Sequence, residues 1–78
     1  MSTSDLALFE SELFDLDWAL KACKARYLKA NHSQKAQIRG VFKQITRYVY
    51  SEEFTSKCVL SGMTTRMEEL RRNACYLG

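Results

Sequence analysis

Few residues in this chain are placed to do covalent chemistry. Asp15 and Asp17 stand two apart, and on a helix turning about 100° per residue their carboxylates diverge by about 200°. They cannot share a proton or a substrate as a catalytic pair does. Glu52-Glu53 and Glu68-Glu69 are direct neighbours and diverge by about 100°. The single histidine, His32, lies between Asn31 and Ser33, a turn-like triplet with no neighbouring base or orienting carboxylate. The three cysteines, Cys23, Cys58 and Cys75, are widely spaced and odd in number, which suits reduced thiols better than a disulfide framework. No CxxC pair or Gly-rich phosphate loop occurs, so neither a structural zinc site nor a nucleotide cradle is expected. The expectation is therefore a protein with no catalytic residues, no cofactor and no metal.

Charge is the more informative property. The 78 residues carry a net charge of +3, distributed unevenly. Residues 1–17 hold five acids and no base, residues 18–50 hold eight bases and no acid, and residues 51–78 balance four against four. Such polarisation creates a strong dipole and a basic middle. Within that middle Lys35, Arg39, Lys43 and Arg47 recur every fourth residue, forming a stripe that winds slowly along one helix face. It would attract phosphates or an acidic protein patch, or simply face water. Nucleic acid is the less favoured partner, given the acids of the preceding segment, the small net charge and the lack of a nucleic-acid motif.

Three segments must position these residues. Leu6, Phe9, Leu13, Leu16, Leu20, Cys23, Tyr27 and Ala30 recur at spacings of three and four, predicting a helix over about 4–30 with a continuous apolar seam. Ser2, Thr3, Ser4 and Asp5 are candidate caps, and Asp17 precedes Lys21 by four, the favourable order for an ion pair. Asn31 or Ser33 can cap a second helix over about 34–50, and Asn31 with Gln34 forms a capping-box pattern, with Ile38, Val41, Phe42, Ile45, Tyr48 and Val49 on its apolar face. A third segment, 52–77, carries a seam of Leu60, Met63, Met67, Leu70, Ala74 and Leu77. It is either one kinked helix or two short ones, because Gly62 suits a helix end and Thr65 with Glu68 suits a second start. The Met63–Met67 pair reads as core at this spacing. The fold class is all-α: a single-domain antiparallel bundle or helical hairpin of three helices, or four if the third segment breaks.

The first helix has a second uncharged stripe. Ala7, Ser11, Phe14, Trp18, Ala22 and Ala25 line up opposite the seam when projected at about 100° per residue. A helix apolar on two sides is covered on two sides. Either the later helices pack on opposite sides of the first and bury Trp18, or a second molecule covers Phe14 and Trp18. The sequence thus points to a helical protein-interaction module that regulates or inhibits a larger partner, with homodimerisation a compatible variant. Phe14 and Trp18 supply contact area, and Lys35, Arg39, Lys43 and Arg47 supply orientation. A nucleic-acid-binding regulator using the basic stripe is the alternative. No signal peptide or membrane span is expected, because acids interrupt the first apolar stretch and apolar runs are short. With reduced thiols, that suggests the cytoplasm.

Overall fold

The computed structural model describes residues 3–77 and places four α-helices in them: α1 (Thr3–Lys29), α2 (His32–Val49), α3 (Glu52–Ser61) and α4 (Thr64–Asn73). The all-helical class is as expected, with the third segment divided in two. The Ser2 cap candidate lies outside the described residues.

Each boundary has a local cause. Asn31 caps α2 by accepting from Gln34 N at 2.8 Å, while Gln34 Oε1 accepts from Asn31 N at 3.1 Å, so the capping box forms. It starts α2 at His32 rather than 34, and leaves His32 exposed in the first helical turn. The β-branched stretch after Ile45 stays helical through Val49. Ser51 then caps α3, accepting from Phe54 N at 3.2 Å, with Glu52 and Glu53 in the first turn where the helix dipole favours acids. Gly62 ends α3 at φ 73°, a left-handed conformation that glycine adopts without steric cost. The proposed Thr65–Glu68 capping box does not form: α4 is already helical at Thr64, and Met63 stands at its N-cap with no side-chain cap bond.

α1 and α2 form an antiparallel hairpin. Tyr27 near the turn meets Arg39, and Glu12 near the open end meets Tyr48. α3 and α4 close over that open end. The core unites Phe9, Leu13, Leu20 and Cys23 of α1, Phe42 and Val49 of α2, Phe54 and Cys58 of α3, and Met67, Leu70 and Ala74. Phe54 is fully buried, its ring centroid 5.9 Å from Phe9 and 5.2 Å from Tyr48.

Two expected core residues lie outside. Leu60 is 74% exposed, because α3 stops one residue later at Ser61 and the turn at Gly62 redirects the chain, so the seam does not run through it. Phe54 and Cys58 are the residues that α3 buries instead. Val41 is also exposed, at the edge of the α2 face whose centre is Phe42 and Val49.

Polar side chains tie the helices at their ends. Arg71 donates from Nε to Val49 O at 2.8 Å and from Nη2 to Thr55 Oγ1 at 2.6 Å, and lies 5.0 Å from the Tyr50 ring. One guanidinium thus joins α4 to the end of α2 and the start of α3. Thr46 Oγ1 donates to Ala74 O at 3.3 Å, and Asn73 Nδ2 reaches Asp17 Oδ1 at 3.5 Å.

Candidate functional site

The outward face of α1 begins from its periodicity. Seam residues turn toward α2 and α4, so residues half a turn away must point outward. Phe14 is 66% exposed and Trp18 69%. Ala7, Ser11 and Ala25 are exposed with them, and Ala22 is half-buried. The reading in which later helices sandwich α1 and bury Trp18 is overturned. The short turns after α1 and α2 bring the remaining helices back onto the seam, which is rich enough in large side chains to take them all.

The Arg66 guanidinium of α4 lies 5.1 Å from the Phe14 ring centroid. Behind this pair a cleft runs between α1 and α4, lined by Leu13, Asp17, Lys21, Arg66 and Asn73 among others. Within it Lys21 Nζ pairs with Asp17 at 2.9 Å, the ion pair anticipated from their spacing. Leu8 and Leu28 add exposed apolar surface nearer the ends of α1.

The basic stripe occupies α2. Lys35 Nζ stands 5.1 Å from the Tyr27 ring centroid, and Arg39 Nη1 donates to Tyr27 Oη at 3.1 Å. Arg39, Lys43 and Arg47 are exposed, whereas Lys35 is half-buried beside α1. The stripe therefore starts against α1 and winds out to solvent. Its contacts run to Tyr27 and those of Phe14 to Arg66, so the structure presents two separate surfaces rather than one composite site.

Sequence reasoning missed a polar cluster across α1, α2 and α3. Tyr48 Oη donates to Glu12 Oε1 at 2.6 Å. Lys57 Nζ donates to Tyr48 Oη at 3.4 Å and stands 3.9 Å from carboxylate oxygens of both Glu12 and Glu53. Burial, followed by the hydrogen bond to Glu12, pushes the Tyr48 hydroxyl well above its ordinary range. A phenol so held keeps its proton and fastens helices; it is unsuited to act as a base. The only hint in the sequence was Glu53 four residues before Lys57, because Glu12 and Tyr48 are distant along the chain.

The thiols follow burial. Cys23 and Cys58 are buried, and desolvation raises both above an ordinary thiol despite the nearby charges of Arg26 and Arg71. Both are poor nucleophiles for that reason. Cys75 is exposed, with Sγ donating to Arg71 O at 3.1 Å. Asp15 points to solvent while Asp17 is held by Lys21 and Asn73, so the two do not converge. Among the described residues no three His, Cys, Asp or Glu side chains gather as a metal site. No helix there is long and apolar enough to cross a membrane.

Compared with protein-family models, curated proteins and solved structures, the chain matches none of them. The surface chemistry alone bears on function.

Proposed function

We propose that this protein is a non-enzymatic helical interaction module, acting in the cytoplasm, that binds a larger protein partner and regulates or inhibits it. One observation carries this reading. A phenylalanine and a tryptophan stand two-thirds exposed, four residues apart, on an uncharged helix face opposite a complete core seam. Exposed tryptophan amid small side chains is the composition of an interface hot spot. The basic stripe of Lys35, Arg39, Lys43 and Arg47 complements it by steering an acidic surface into place.

The test is made on Trp18→Ala. A residue that serves only an interface leaves the chain's own stability nearly unchanged when truncated, whereas loss of a core tryptophan costs about 3–5 kcal/mol. Urea unfolding of dilute protein is expected to give a midpoint close to that of the parent chain. A loss on the core scale would overturn the reading.

The exposure of Arg39, Lys43 and Arg47 also supports a second reading, a nucleic-acid-binding regulator. It predicts affinity for duplex or single-stranded nucleic acid that falls log-linearly with salt, at roughly one unit of slope per phosphate contacted. Absence of salt-dependent binding to either probe would remove it.

A further inference from the structure

We infer that the outer face of α1 is covered by a second copy of this chain, lying antiparallel across it with a two-fold axis at the level of Leu16. The inference rests on reading the Phe14–Trp18 face as an intermolecular contact, and it names the occupant.

The spacing of the stripe is the first argument. Phe14 and Trp18 are equidistant from Leu16 along the chain, and so are Ala7 and Ala25. A two-fold axis at Leu16 therefore sets each Phe14 against Trp18 of the other copy, and each Ala7 against Ala25. Ser11 meets the stem of Lys21, beside Ala22. Self-complementarity of this kind is what an isologous interface requires. Large side chains fall at the centre and small ones toward both ends, so the helices can approach to about 8–10 Å while the aromatics fill the middle.

Charge supplies the second argument. α1 carries Asp5, Glu10, Glu12, Asp15 and Asp17 in its first part and Lys21, Lys24, Arg26 and Lys29 in its second. A parallel pair would align like with like, whereas an antiparallel pair sets each acidic part against a basic one. Glu10 and Lys24 lie on the same edge of the stripe, so two Glu10–Lys24 pairs form across the axis. Asp15 approaches its own copy beside the axis, but it is exposed, and water and salt screen that repulsion.

The third argument is reach. At about 1.5 Å per residue, the 27 residues of α1 extend about 40 Å, nearly the whole 44 Å length of the molecule. α4 flanks one edge of that face, where Arg66 lies 5.1 Å from the Phe14 ring centroid, and Ala7, Ser11, Trp18 and Ala25 stay exposed along its length.

Sedimentation equilibrium of the full chain in reductant, across the micromolar range, tests the inference. The expected result is reversible association from the 9.1 kDa chain to twice that mass. Trp18→Glu is expected to raise the dissociation constant by at least about 30-fold, the ~2 kcal/mol of a hot spot, with helicity and urea midpoint at monomeric concentration unchanged. Orientation is read from disulfide trapping in a Cys75→Ser background, where the remaining thiols are buried. A chain with Ala7→Cys mixed with an isotope-labelled chain with Ala25→Cys should give mainly the mixed cross-link. Self-cross-linking of each variant alone would show a parallel pair and overturn the inference. A wild-type chain monomeric throughout would also overturn it. If Trp18→Ala then leaves stability intact, the interface reading survives with a different protein as occupant; if it destabilises the monomer like a core residue, both fail.

Discussion

The hydroxyl of Tyr48 on α2 donates to Glu12 Oε1 on α1 at 2.6 Å, on the same ring whose centroid lies 5.2 Å from that of Phe54. One side chain thus joins a charged hydrogen bond at the surface to the most deeply buried ring of the core. Both ends are measurable.

Tyr48→Phe retains the ring and removes the bond. A hydrogen bond to a carboxylate contributes about 1.5–3 kcal/mol when well shielded; with Glu12 half-exposed, roughly 1–2 kcal/mol of stability should be lost at neutral pH. The folded chain raises the Tyr48 ionisation above its ordinary value of 10.0, so it holds a proton that the unfolded chain releases. The contribution is complete below that value and declines as pH rises above it. Urea midpoints of parent and variant should therefore converge in strong alkali. Burial is the larger cause of the raised ionisation and the bond to Glu12 the second, so a gap independent of pH would show that folding does not raise it.

Phe54→Ala removes a fully buried ring packed between Phe9 and Tyr48. The expected cost is about 3–5 kcal/mol, comparable with the whole stability a core of this size supplies. Near-UV dichroism and urea unfolding should show a chain at the margin of folding. A loss below about 1 kcal/mol would mean that the four-helix end is not packed as described.

The two helix-associated glycines should respond in opposite directions. Space is open around both, with nothing beyond the chain neighbours and the local helix backbone within 4 Å of an added Cβ. Gly40 lies inside α2 with ordinary helical φ, so Gly40→Ala should stabilise by about 0.5–1 kcal/mol. Gly62 sits at φ 73°, where a side chain is strained, so Gly62→Ala should cost about 1–2 kcal/mol. Melting temperatures moving in the same direction would contradict the break between α3 and α4.

Reversing Arg39 and Lys43 to glutamate should leave the fold intact. Arg39 loses only an exposed hydrogen bond to Tyr27, and Lys43 faces solvent, so the stability change should stay within about 1 kcal/mol. Far-UV dichroism and a urea titration check this. Unfolding of the double variant would make the stripe structural and remove it as a steering surface.

Local and periodic features were legible in the sequence. The α1 seam, the Asn31–Gln34 capping box and the Asp17–Lys21 pair each depend on residues within a few positions of one another, and short-range sterics and hydrogen bonding fix them wherever the chain goes; at Gly62 the sequence left both a kinked helix and a break open. The two apolar faces of α1 were legible for the same reason. Which of them the chain would cover was not, because periodicity marks a face without saying what packs on it.

Tertiary packing made the remaining decisions. It buried the seam and left Phe14 and Trp18 open, because short turns return α2, α3 and α4 to one side of α1. It exposed Leu60 and buried Phe54, because a single left-handed residue at Gly62 ended a seam that spacing alone would carry through. It brought Glu12, Tyr48 and Lys57 together from three helices, and placed Arg71 across the ends of two others. Interactions between distant residues form only after the helices have docked, and burial is what decides their strength.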